Sequence, residues 1–187
     1  MEIRTFDIEG PFLIEPKLFS DDRGYFYESY HAERFNAAAG RVVNFVQDNQ
    51  SFSATEGTVR GLHYQSPPHA QAKLVRCLSG SIIDIIVDVR TGSPTFGQNI
   101  RVQLTGENHH QLFVPRGFLH GFSTQEPNTL ISYKVTDIYA PDCDGAVMWN
   151  SPSLGLDWAL SDENALLSHK DDQAPDFENW TSPFSMN

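Results

Sequence analysis

Apolar and polar residues alternate with a period of two along much of this chain. Over residues 82–90, Ile83, Ile85, Val87 and Val89 share one face of an extended segment; Asp84, Asp88 and Arg90 share the other. Similar short runs, broken by turn residues, cover about 24–30, 43–47, 59–65, 73–78, 99–104, 111–114 and 129–138. Many short strands between turns predict an all-β sandwich or barrel. One short helix is expected over 31–39, stopped by Gly40 in the position just past a helix end. Beyond Pro152 the pattern turns polar and irregular, with a helical turn expected near 162–167. Residues 153–187 are therefore expected to lie over the barrel as an irregular covering. The 187 residues suit a single domain, with no linker, repeat or low-complexity block to divide them.

Charge narrows the partners. With 24 acidic against 13 basic residues the formal net charge is −11, which repels nucleic acid and anionic membranes. A diphosphate would be repelled too, unless a few Arg and Lys converge locally. No apolar run reaches membrane-spanning length, and Met1-Glu2-Ile3-Arg4 lacks the profile of a signal peptide. Cys77 and Cys143 fit neither a disulfide framework nor a zinc site. A cytoplasmic protein without nucleic-acid or membrane partners is expected.

The densest chemistry lies in Gln47-Asp48-Asn49-Gln50 and in Val59-Arg60-Gly61-Leu62-His63-Tyr64-Gln65. Polar groups in a β-run are costly to bury unless each finds a partner. On strands, Gln47 shares a face with Asn49, and His63 with Gly61 and Gln65. Arg60 should point the other way, unless Gly61 marks a bulge that re-aims it.

Pro115-Arg116-Gly117-Phe118-Leu119-His120 matches the Pro-x-Gly-x-x-His pattern of the second cupin motif. The first motif is altered. His63 fills its first histidine slot, but Gln65 fills the second, and Lys73 stands where a Glu is expected ahead of Gly80. An ammonium has no lone pair for a metal and repels it. The expectation is a cupin-type β-barrel (jelly roll) without the metal. His63 and Lys73 share a parity that aims both inward. A neutral imidazole is a competent base near pH 7, and a cation beside it suits a developing oxyanion. Together they fit proton abstraction next to a carbonyl. The run Tyr133-Lys134-Val135-Thr136-Asp137-Ile138-Tyr139 places two tyrosines on one strand face as candidates for the acid. Taken alone, these residues fit equally a structural histidine, a surface arginine and two packing tyrosines.

These stretches, with Asp22-Arg23-Gly24, Phe26, Glu28, Trp149 and Leu167-Ser168-His169-Lys170-Asp171, resemble the dTDP-4-dehydrorhamnose 3,5-epimerase family over about residues 10–172. The resemblance implies a homodimeric cupin that needs no cofactor. Its substrate would be a dTDP-linked 4-keto-6-deoxy sugar, dTDP-4-dehydro-6-deoxy-D-glucose, inverted at C3 and C5 on the way to dTDP-L-rhamnose. It implies that His63 removes the protons, Asp171 orients and charges His63, Tyr133 supplies the new proton and Lys73 steadies the enolate. Arg23, Glu28, Gln47, Asn49, Arg60, His120 and Lys170 match positions that hold nucleotide, phosphates and sugar. Phe19, Phe26 and Tyr139 match the apolar or stacking surface around the base. Two positions depart from the family pattern: Asp144 stands where a substrate-binding Glu is expected, and Asn150 follows Trp149 where an Asp is usual. Alternatives are a C3-only or C5-only epimerase, a metal-dependent cupin oxygenase or isomerase, and a binding module without catalysis.

Overall fold

The computed structural model describes residues 1–186. Thirteen strands follow in chain order: β1 (Glu2–Thr5), β2 (Phe12–Glu15), β3 (Phe19–Asp21), β4 (Gly24–Phe26), β5 (Gln47–Ser53), β6 (Val59–Gln65) and β7 (Lys73–Ser79), then β8 (Ser81–Asp88), β9 (Asn99–Thr105), β10 (Gln111–Val114), β11 (Phe118–Thr124), β12 (Thr129–Val135) and β13 (Asp144–Ala146). Two short helices join them, α1 (Ala32–Ala39) and α2 (His169–Asp172). Six strands form one sheet in the order β1-β2-β10-β7-β12-β5, and five form a second in the order β13-β6-β11-β8-β9. Neighbouring strands run antiparallel throughout. The two sheets face each other as the expected all-β jelly-roll barrel, and β3–β4 projects as a separate hairpin.

Three apolar clusters hold this arrangement, because burying apolar area is the main favourable term in folding. Leu13, Val75, Ile82, Ile86, Leu104 and Ile131 fill the space between the sheets. Ile83, Ile85, Val87 and Val89 cover the outer face of the second sheet, under Leu154, Trp158 and Phe184 of the C-terminal segment. On the outer face of the first sheet, Phe12, Leu74 and Phe113 pack under Phe35 of α1 and Val43. Strand β8 is thus buried on both sides. Its carboxylates face inward rather than to water, and each needs partners there. Burial alone would raise the Asp88 carboxyl, but hydrogen bonds from Arg90, Ser93 and Thr95 outweigh it and bring it down to about 2.

Several expected boundaries shift. The strand expected at 43–47 instead begins at Gln47 and runs to Ser53, pairing along its whole length with β12. Val43 is spent on the cluster under α1, while in β5 the partly buried positions are the polar Gln47, Asn49 and Ser51, so apolar periodicity could not mark it. The run expected at 24–30 is extended only over Gly24–Phe26. The one expected at 129–138 ends at Val135, so Tyr139 lies in the following loop and not on the strand face of Tyr133. The helix at 31–39 forms as α1, with Gly40 closing it at φ 65°, a left-handed conformation glycine adopts without penalty. The helical turn near 162–167 shortens to a 3-10 turn over Asp162–Asn164. Among the described residues no helix is long and apolar enough to cross a membrane.

Candidate active site

A cavity of about 510 Å³ opens between the sheets, lined by Arg60, His63, Lys73, His120, Tyr133, Lys170 and Asp171 among others. A larger groove of about 720 Å³ lies elsewhere, against Arg41, Arg90 and Arg116, and offers no histidine, lysine or tyrosine. The chemistry belongs to the first.

Strand β6 delivers two of these side chains through a bulge. His63 sits opposite His120, but Arg60 sits opposite Phe122, so three steps on β6 match two on β11. The extra residue cancels the parity that would separate Arg60 from His63, and both line one cavity. Gly61 makes this possible. Its φ is +127°, and a Cβ there would stand 2.6 Å from the Gly121 Cα.

His63 Nε2 lies 2.5 Å from Asp171 Oδ1, which leaves Nδ1 as the nitrogen available to a ligand. Asp171 is held by α2: Ser168 caps that helix and its hydroxyl accepts the Asp171 backbone N–H at 3.2 Å. Burial would raise the Asp171 carboxyl. The hydrogen bond and charge of His63 prevail, helped by Ser168 and the Gly61 backbone, and keep it below the usual carboxylate range. Lys73 opens β7 between β10 and β12. Burial pushes its ammonium down to about 8, against the pull of Asp84 and Asp144, with Lys170 adding to the fall. Asp84 is taken by His120 and Asp144 by Lys170, leaving Lys73 without an ion-pair partner among the described residues. Tyr133 of β12 lies opposite Asn49 on β5 and Val75 on β7. Burial raises its phenol above the usual range, with the Arg60 charge resisting, so it holds its proton at neutral pH.

The arrangement can therefore take a proton at His63, stabilise an oxyanion at Lys73 and give a proton from Tyr133. Arg60 donates to the Phe52 carbonyl at 3.1 Å and to Ser53 Oγ at 3.3 Å, and among the described residues no carboxylate pairs with it. Gln47 Nε2 donates to Asn49 Oδ1 at 2.8 Å. His120 Nε2 meets both oxygens of Asp84, at 3.1 and 3.0 Å. Lys170 and Tyr139 both donate to Asp144 Oδ2, the latter at 3.3 Å. Gln65, at the position of the second histidine of the first cupin motif, donates to the backbone carbonyls of His69 and Ile138 and accepts from the Ala140 N–H. No three His, Cys, Asp or Glu side chains come together at metal-binding spacing among the described residues. Asn150 donates to Asp162 at 2.7 Å, a bond that an Asp at 150 could make only when protonated.

Eight expected residues do not line this cavity: Gln47, Asn49, Tyr139, Asp144, Arg23, Glu28, Phe19 and Phe26. Arg23 pairs with Asp21 in the β3–β4 hairpin, and Glu28 accepts from Arg34. Phe19 and Phe26 face each other across the same hairpin, 57% and 71% exposed. Sequence reading also passed over Ser51 and Asp84. Ser51 lines the cavity with a buried hydroxyl that has no hydrogen-bond partner among the described residues; its alternation with Gln47 and Asn49 was the available signal. Asp84 carried the signal of a lone acid amid apolar residues.

The model of the family described as dTDP-4-dehydrorhamnose 3,5-epimerase matches residues 5–179. The dTDP-4-dehydrorhamnose 3,5-epimerase of Pseudomonas aeruginosa is 46% identical over 177 residues, 95% of this chain and 96% of that protein. The crystal structure of the enzyme so named from Elizabethkingia anophelis superposes with a TM-score of 0.92 at 41% identity, covering 97% of this chain and 99% of that one. An epimerase from Legionella pneumophila, solved with dTDP-4-keto-L-rhamnose, gives a TM-score of 0.90 at 43% identity over 95% of this chain and 93% of its own. With the matched span running through every strand from β2 to β13, this chain belongs to the dTDP-4-dehydrorhamnose 3,5-epimerase family.

Proposed function

We propose that this chain inverts C3 and C5 of dTDP-4-dehydro-6-deoxy-D-glucose, giving dTDP-4-dehydro-L-rhamnose. One observation carries the reading: His63 backed by Asp171, the unpaired Lys73 and the protonated Tyr133 share one cavity. His63 Nδ1 takes the proton from C3 or C5, each next to the C4 ketone. The C–H electron pair moves into the ring, and the C4 oxygen becomes an enolate beside the Lys73 ammonium. Tyr133 returns a proton to the opposite face of the carbon, and exchange with water then resets His63 and Tyr133. Arg60, Lys170, Gln47 and Asn49 hold nucleotide, phosphates and sugar, with Tyr139 and Asp144 beside them.

The proposal includes a metal-free mechanism, because Lys73 occupies the position of the metal-binding Glu. It also includes a homodimer. Arg23, Glu28, Phe19 and Phe26 fit nucleotide-binding positions yet lie outside this chain's own cavity, on or beside an exposed hairpin. A second copy would supply them. The free thiols of Cys77 and Cys143 suit a reducing cytoplasm. Proton NMR in D₂O with dTDP-4-dehydro-6-deoxy-D-glucose tests the reaction: both C3 and C5 protons should exchange and the L-configured product accumulate. Exchange at one carbon alone would make the chain a single-site epimerase, and no exchange would refute the reading.

A further inference from the structure

Two His–Asp pairs face the same cavity from neighbouring strands. His63 of β6 and His120 of β11 are direct register partners. In each, Nε2 points at a carboxylate, Asp171 for His63 and Asp84 for His120. The proposed reaction needs one base at each carbon in turn, and His63 serves for both. In that scheme His120 is only one of the substrate-holding positions, and Asp84 has no task.

We propose that Asp84 is a positioning residue that fixes His120 as a hydrogen-bond acceptor for the C2 hydroxyl of the sugar. This rests on the function proposed above. Asp84 is wholly buried, and both its oxygens lie within 3.1 Å of His120 Nε2. An ionised carboxylate only accepts, so Nε2 must carry the proton. A second proton on the ring is disfavoured. Burial lowers the imidazole pKa, and the Lys73 and His63 charges lower it further, against the opposing pull of Asp84. The ring therefore stays neutral, and Nδ1 presents a lone pair. The two histidines differ in access, their side chains being 32% and 9% exposed for His63 and His120. His63 can be wetted and charged during turnover; His120 is suited to stay neutral and only accept.

The partner follows from chemistry. A 4-keto-6-deoxy hexose linked through C1 has hydroxyls at C2 and C3 only. The C3 hydroxyl moves when C3 inverts, whereas C2 keeps its configuration throughout. A rigid acceptor locked by a buried carboxylate matches the hydroxyl that stays. Asp84 has a second effect. The charged groups around Lys73 are Asp84 on β8, Asp144 on β13 and Lys170 on α2, and of the two carboxylates Asp84 pulls harder. Since Asp144 is bound to Lys170, removing the Asp84 charge should weaken the hold on the Lys73 proton.

Long-range ¹H–¹⁵N NMR of the substrate-free protein, labelled on its histidines, reads the tautomer directly. His120, assigned by the signal lost in His120→Asn, should be neutral with its proton on Nε2 at pH 7. A proton on Nδ1, or a doubly protonated ring, overturns the proposal. This measurement on wild-type protein stands whether or not the reaction proposed above is correct, and whether or not Asp84 variants fold. Asp84→Asn keeps the shape and removes the charge. It should lower kcat/KM at least tenfold and move the alkaline limb of the pH profile down by roughly one unit or more, with dTDP binding unchanged. A 2-deoxy substrate analogue should lose at least tenfold in kcat/KM with the wild type and under threefold with Asp84→Asn. An unmoved pH profile, or equal losses for both proteins on the analogue, overturns it.

Discussion

The carboxylate behind His63 offers the sharpest test of the proposed base. Asp171→Asn keeps the side-chain volume at a position that is 2% exposed and removes only the charge and one acceptor oxygen. In the native pair the carboxylate accepts from Nε2, so Nδ1 holds the lone pair that must take the substrate proton. An amide can turn its NH₂ to Nε2 instead, and the imidazole proton then moves to Nδ1, where the lone pair is needed. A hydrogen bond to a charged group is worth about 1.5–3 kcal/mol. At 1.36 kcal/mol per tenfold, its loss in the transition state slows proton abstraction about 10- to 150-fold. The wrong tautomer adds to this, as it does when the aspartate of a serine-protease triad becomes asparagine, where the loss is about 10⁴. The expected fall in C3 and C5 proton exchange is therefore about 10²–10⁴-fold, measured by NMR in D₂O with substrate saturating. Affinity for dTDP, measured by calorimetry, should change less than threefold, because Asp171 is spent on His63, Ser168 and Gly61. Exchange within tenfold of wild type would refute the role of Asp171, and with it the assignment of Nδ1 as the basic atom.

Four further outcomes follow from the same geometry. Tyr133→Phe keeps the ring and deletes the donor, so label should still wash out of the substrate while inverted product fails to form; normal product yield would remove Tyr133 as the acid. The Lys73 ammonium is charged below its pKa and neutral above it, so kcat/KM should fall as pH rises through about 8; a flat profile to pH 10 would mean the cation is not required. Activity should survive EDTA, and restoration of a chelated, inactive protein by one divalent metal would overturn the metal-free reading. Arg60→Ala removes an unneutralised guanidinium and should weaken dTDP binding about 10- to 150-fold, the worth of one charge-assisted hydrogen bond. Wild-type affinity should also fall as salt rises, and an Arg60→Ala affinity within threefold of wild type would make the residue structural.

Much of the barrel was legible because its strands alternate. β6, β7, β8, β9 and β10 appear where period two puts them, and α1 ends at the expected glycine. The pattern failed where the inward face is polar. β5 turns Gln47, Asn49 and Ser51 inward, so its hydrophobicity reads backwards. It failed also in β11, where Phe118-Leu119-His120-Gly121-Phe122-Ser123-Thr124 follows no alternation. The site was legible as residue types and not as geometry. Gly61 left open whether Arg60 joins His63, and only the register of β6 against β11 decides it. Asp84 was assigned to a polar face, which on an isolated strand means water. Here that face looks into the barrel, because β8 lies inside its sheet with apolar layers on both sides.

The charge problem raised by a net −11 resolves at the level of individual pairs. Three carboxylates serve the cavity, and each is already engaged: Asp171 by His63, Asp84 by His120 and Asp144 by Lys170. Two of these partners are histidines, which let a carboxylate be buried without consuming a lysine or arginine. The cations at Lys73 and Arg60 consequently face the cavity without a carboxylate of their own among the described residues. A ligand bringing a diphosphate and a developing enolate oxygen meets unneutralised positive charge at both ends, though the protein as a whole repels anions. Local field, not net charge, decides binding in a cleft of low dielectric. The same economy explains why histidines stand where lysines would neutralise more strongly: a lysine on Asp84 or Asp171 would offer no lone pair. Reaction and recognition both need one.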